Sequence, residues 1–164
     1  MPLIGCLVAV GIAMAAEWLI MVARLGGPTL PEMHPGYSTQ ALQAFLTNLG
    51  PLGRAWYARF QLADLLLIGG LSGAMIAIDR WALDRLGGGS LLRFIVLLPL
   101  AYAASDLAED VALLGSIRGF GGSALQPGGI ASALTWLKFL CLILSALATA
   151  VLGFKGVTAP RGRG

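Results

Sequence analysis

Charge is scarce in this sequence. Asp, Glu, Lys and Arg make up only 12% of its 164 residues, against roughly 25% in soluble domains. So few charges exclude an ordinary water-facing surface. Histidine is scarcer still. The single His34 sits among prolines, where it is expected to be solvated, so no Ser-His-Asp arrangement can be assembled. There are two cysteines, Cys6 and Cys141. Their spacing fits neither zinc nor a redox pair, and they read as buried apolar thiols. No His/Cys metal centre and no cofactor are implied; a carboxylate-bound divalent cation stays open as a weaker alternative. The net charge of +3 and the pI near 9.2 come from scattered residues. Without a basic run they exclude a nucleic-acid partner. The N-terminal segment has no Lys or Arg ahead of "LIGC" (residues 3–6) or "AMA" (residues 13–15). A signal peptide needs a charged leader, so this segment is expected to be a retained helix.

What the chain has is hydrophobicity, at 57% of residues and a mean hydropathy of +0.82. A membrane-crossing helix needs about 20 mostly apolar residues. Four stretches qualify, at about 2–24, 57–78, 91–115 and 129–153. The expected fold class is all-α: a polytopic membrane protein, a four-helix transmembrane bundle forming one domain over 1–154. A disordered tail is expected over 155–164.

The first connection contains Pro28, Pro31 and Pro35, which keep it extended. "STQALQAFLTNLG" then predicts a short amphipathic helix, capped by Ser38 or Thr39. Leu42, Phe45, Leu46 and Leu49 share one face, and Gly50–Pro51 should stop it. It should lie on the membrane surface or pack on the bundle. Gly69, Gly73 and Ala77 form a small-residue stripe suited to close helix packing. "DRWALDRLGGGS" and "GSIRGFGGSALQPGG" read as the second and third connections. Trp18, Trp56, Tyr57, Trp81 and Trp136 lie near span ends, as interfacial anchors do.

Four spans place both termini on one side. That side carries Arg80, Arg85, Arg93, Lys155, Arg161 and Arg163, and the other carries Arg24, Arg54, Arg59 and Arg118. Six against four puts both termini in the cytoplasm.

The informative residues are charges inside the spans. Helical rise sets Glu17 and Asp64 roughly 10 Å below the outer ends of their spans, and Asp106 and Lys138 roughly 13 Å below theirs. Glu109 and Asp110 are slightly shallower. Every span therefore contributes a charge at a similar depth, which predicts one polar layer. Tyr102, Asp106, Glu109 and Asp110 share a helical face, as do Thr135, Lys138, Ser145 and Thr149. Five acids meet one deep base. Arg59 and Arg54 are candidates to reach inward and offset the excess. An intramembrane charge costs about 2.5–3.5 kcal/mol and is usually paired or functional.

"GYSTQALQAFLTNLGPLGRAWYARFQLADLL" resembles a family of small uncharacterised bacterial four-span integral membrane proteins. The shared positions are Gly36, Tyr37, Ser38, Leu49, Gly50, Gly53, Arg54, Tyr57 and Asp64, then Asp106 and Glu109, then Thr135 and Lys138. The resemblance covers about 36–150, and Asp110 replaces the family's Asn. It implies a multi-pass protein of the bacterial inner membrane and carries no reaction with it.

Three functions compete. The polar layer can bind a lipid, a small amphiphile, a membrane partner or a second copy of the chain. It can serve a membrane-embedded enzyme in which Asp106 and Glu109 exchange protons beside Lys138. It can carry protons or cations across the membrane. Beside all three stands a purely structural Lys138–Asp106 bridge that fixes helix register.

Overall fold

A computed structural model of the chain describes residues 2–27, 30–87, 89, 94–121 and 128–159. It is 90% helical. The α-helices are α1 (Pro2–Arg24), α2 (Thr39–Leu86), α3 (Leu97–Arg118) and α4 (Gly128–Thr158), with a 3₁₀ turn at Pro31–Met33. Among the described residues there is no strand. Three helices, α1, α2 and α4, are long and apolar enough to cross a membrane. The 22-residue α3 has the length but carries three carboxylates.

The layout is inside-out relative to a soluble bundle. Asp106, Glu109, Asp110 and Lys138 are buried, while Leu7, Leu19, Leu107, Ile143 and Phe154 are exposed. Apolar side chains on the outside and charges within suit a hydrocarbon solvent.

Helix α2 differs from the sequence expectation. Gly50 (φ 63, ψ −179) does break the helix, as "GP" predicts, but helix resumes at once. Pro51 cannot continue a helix that has already begun, yet its fixed φ suits the first position of a new one. The short amphipathic helix and the second long helix are thus one bent element. Ser38 caps its start, its hydroxyl accepting from Ala41 N at 3.1 Å. The arm before the bend packs on the bundle: Leu42 and Leu46 are fully buried with Leu25, Leu30, Tyr57, Phe60 and Leu113. The residues expected in the second connection are helical through Leu86, and Asp79 among them is buried. Helix α3 begins at Leu97, later than 91, and α4 runs on to Thr158, so the expected disordered tail is helical over 155–158. Residues 160–164, and 122–127 of the third connection, lie outside the described residues.

Glycine contacts fix how the helices run. A Cβ on Gly73 would lie 2.8 Å from Cys6 Sγ, and one on Gly70 would lie 3.0 Å from both Cys6 O and Val10 Cγ2. With Glu17 facing Asp64, α1 runs antiparallel to α2. A Cβ on Gly153 would meet Ile78 and one on Gly156 would meet Ala82, so α4 runs parallel to α2. The close-packing glycines are therefore Gly70 and Gly73, whereas Gly69 of the expected stripe faces open space. Gly70→Leu is expected to lower stability by about 1–3 kcal/mol, since overpacking forces α1 outward. Gly69→Leu is expected to leave it near wild type. Thermal unfolding of both variants in detergent checks the contrast.

Candidate functional site

One face of α3 turns Tyr102, Asp106, Glu109 and Asp110 into the bundle, and all four are buried. The i, i+4, i+7 and i+8 spacing of an α-helix places them together. Opposite, α4 presents Thr135 and Lys138, also buried. Lys138 Nζ lies 3.0 Å from Asp106 Oδ1 and 2.6 Å from Glu109 Oε2. The Thr135 hydroxyl touches Glu109 Oε1 and lies 3.0 Å from Ala131 O. One ammonium thus serves two carboxylates, and a neighbouring hydroxyl orients one of them.

Helix α2 adds Asp64. Carboxylate oxygens of Asp64, Asp106 and Asp110 all lie within 4.8 Å of one another. At that distance two ionised groups repel by at least about 3 kcal/mol at an effective dielectric near 20. Glu17 of α1 faces Asp64. Glu17 Oε1 and Asp110 Oδ2 are buried without a hydrogen-bond partner. A single lysine cannot neutralise this group, which leaves water, protons or a bound cation to offset the remaining carboxylates.

Beside these charges is a cavity of about 170 Å³. Met33, Phe60, Leu67, Phe139 and Leu142 make its apolar side, and Glu32, Asp64, Tyr102, Asp106 and Lys138 its polar side.

Glu32 was not foreseen from sequence. It sits in the 3₁₀ turn of the proline-rich connection, yet it is buried. Tyr57 Oη donates to Glu32 Oε2 at 2.6 Å and Gln61 Nε2 donates to Oε1 at 2.8 Å. Tyr57, expected as an interfacial anchor, is therefore a fully buried ligand of this carboxylate. The spacing of Tyr57, Gln61 and Asp64 on one face of α2 is a legible signal. Nothing in "PEMHP" announces that Glu32 folds inward. Burial pushes the Glu32 carboxyl up from the ordinary 4.5 to about 7, against the lowering effect of the Tyr57 hydrogen bond.

The two candidate arginines do not enter the layer. Arg54 Nη1 donates to Leu46 O at 2.9 Å, and its guanidinium stacks 4.1 Å from the Phe120 ring centroid. It caps a carbonyl in the last turn before the Gly50 break. Arg59 and Arg24 lie 4.4 and 4.7 Å from the Trp56 ring. Cation–π contact with an aromatic offers each a partner without desolvation deep in the bundle.

A second missed acid lies far from the cavity. Asp79 is fully buried, neither of its oxygens has a hydrogen-bond partner, and the hydroxyl of Thr149 faces it. Three buried serines elsewhere serve the backbone: Ser105 donates to Tyr102 O, Ser116 to Ala112 O and Ser145 to Cys141 O. None has a histidine beside it, since His34 is exposed. Cys6 and Cys141 are half-buried free thiols.

No family model, curated protein or solved structure matches the chain.

Two outcomes follow from this geometry. Lys138→Met strands two buried carboxylates and is expected to cost about 3–5 kcal/mol. Asp106→Asn leaves Lys138 paired with Glu109 and should cost less. Thermal unfolding of both variants and the double mutant in nanodiscs gives the coupling. For Glu32, a folded pKa above the unfolded one means its contribution is fully present below about 4.5. It is lost as pH rises through about 7. Glu32→Gln should therefore flatten the fall in unfolding temperature across that window, and a slope unchanged from wild type would contradict this assignment.

Proposed function

We propose that the chain is an integral membrane protein of the bacterial inner membrane. All four helices cross the bilayer, both termini are cytoplasmic, and the cavity binds a small amphiphile. Several features support the fourth crossing. Helix α3 has 22 residues, about 33 Å of rise, enough for the roughly 30 Å hydrocarbon core. Its acids turn inward, while Leu97, Leu100, Leu107 and Val111 are exposed. The orientation rests on the six-to-four distribution of Lys and Arg between the two ends. The resemblance to small four-span bacterial proteins falls on the same residues, Asp64, Asp106, Glu109, Thr135 and Lys138.

The observation that carries the binding reading is an apolar cavity that abuts the charged cluster. Met33, Phe60, Leu67, Phe139 and Leu142 give it a mostly apolar lining, to which Asp64, Asp106 and Lys138 contribute a few polar atoms. Its volume of about 170 Å³ is close to that of an apolar cavity able to hold a benzene-sized molecule. It fits a polar head and its first carbons, with the remaining chain lying against the lipid-facing surface. Binding sites of this kind combine an apolar body with a few fixed polar groups. Lys138, held as an ammonium between two carboxylates, is poorly placed to act as a nucleophile.

Native mass spectrometry of the protein released from nanodiscs tests the proposal. Wild type should retain a small amphiphile, and Leu142→Trp, which fills the apolar side, should lose it while keeping its unfolding temperature. Equal retention by both, or none by wild type, would sink the reading. Proton or cation transport is favoured by one separate observation, the buried and unpartnered Asp79 on α2. Proton flux into liposomes that survives Asp79→Asn would remove that support.

A further inference from the structure

We infer that Asp64, Asp106 and Asp110 form a binding site for one hard divalent cation of the Mg²⁺, Ca²⁺ or Mn²⁺ class. The three carboxylates come from two helices, and each offers an oxygen within 4.8 Å of the others. Convergence of acids alone would not suffice. The second observation is Asp110 itself. It is 98% buried, at 2% exposure, its Oδ2 has no hydrogen-bond partner, and one of its carboxylate oxygens lies within 4.8 Å of those of Asp64 and Asp106. A buried, unpartnered carboxylate oxygen calls for a proton, a water or an ion.

The base nearby does not supply the partner. Lys138 contacts Asp106 and Glu109, and among the described residues no salt bridge reaches Asp64 or Asp110. The donors are all oxygens, with no thiolate or imidazole among them, which selects hard cations over zinc or copper. Asp106 and Asp110 are one turn apart on α3, and Asp64 approaches from α2. The cation would therefore tie two helices together at the level where Lys138 ties α3 to α4. Asp64 and Asp106 also line the cavity, so the remaining coordination positions face a space that admits water or an oxygen-bearing head group. The cation site stands on these aspartates whether or not the cavity takes an amphiphile.

Titration of chelator-stripped, delipidated protein with Mn²⁺, following free Mn²⁺ by electron paramagnetic resonance, tests the inference. Wild type should bind about one Mn²⁺ per chain, displaced by excess Ca²⁺ or Mg²⁺, and saturating Mn²⁺ should raise its unfolding temperature. Asp110→Asn should weaken binding by more than the roughly 10–100-fold typical of losing an outer-shell partner. Asp84→Asn, an exposed acid at the far end of α2, should bind as wild type does. If wild type takes up no stoichiometric Mn²⁺, or Asp110→Asn binds it equally well, the aspartates hold protons and the inference falls. Should Asp110→Asn not fold, the wild-type stoichiometry and stabilisation still decide, with Asp64→Asn as the second variant. Delipidation keeps this readout separate from amphiphile retention, so either proposal can fail alone.

Discussion

Everything at the polar end of this molecule is arranged around Lys138. Its ammonium lies within 3.0 Å of Asp106 and 2.6 Å of Glu109, in a bundle whose exterior is leucine, isoleucine and phenylalanine. A lone charge in such a place is expensive, and so is a lone pair of acids. The two costs offset each other only if α3 and α4 keep the register that brings residues 106 and 109 to residue 138. Thr135, one turn from Lys138, orients the Glu109 carboxylate. The bridge thereby acts as a register lock. It does not exhaust the acids, because Asp64, Asp110, Glu17 and Glu32 remain. A purely structural device would need no such excess. The surplus is what a register lock alone leaves unexplained.

Much of this was legible in the sequence, and the reasons are specific. Hydropathy marks helices because a 20-residue apolar run has few alternatives. The shared face of Tyr102, Asp106, Glu109 and Asp110 follows from helical geometry alone. Equal depth from the expected span ends predicts one level for Glu17, Asp64, Asp106 and Lys138, of which Asp64, Asp106 and Lys138 line one cavity. The failures also have physical causes. Arg54 and Arg59 share the helix that holds Asp64, but their long guanidinium side chains find aromatic rings, and for Arg54 a backbone carbonyl, nearer than the buried layer. Gly50–Pro51 reads as a stop, yet a proline that ends one helix can open the next. Glu32 lies in a proline-rich connection with no periodicity, so its burial depends on Tyr57 and Gln61, which the connection itself does not reveal.

The two ends of the bundle are held by different forces. Toward the far end, Gly70 and Gly73 admit α1 and Gly156 admits α2 more closely than a side chain would without a shift, while a Cβ on Gly153 would only touch Ile78. That packing needs no polar partner and tolerates no water. At the other end the helices carry charges and enclose a cavity, and the bent arm of α2 closes over them with Leu42 and Leu46. The arm is anchored at its start, where a Cβ on Gly128 would lie 2.9 Å from Thr39 Cα. The connection before it is pinned where Gly36 N donates to Ser132 Oγ at 3.1 Å. If the glycine seams supply most of the cohesion, the polar end is free to hold groups that do not maximise stability. Glu32 then gains a particular place. It sits in the covering connection, its carboxyl is raised to about 7, and it lines the same cavity as Asp106 and Lys138. A carboxyl poised there gains or loses its proton within the neutral range. Its partners Tyr57 and Gln61 both belong to α2, so the charge of this carboxyl bears directly on the helix that frames the cavity.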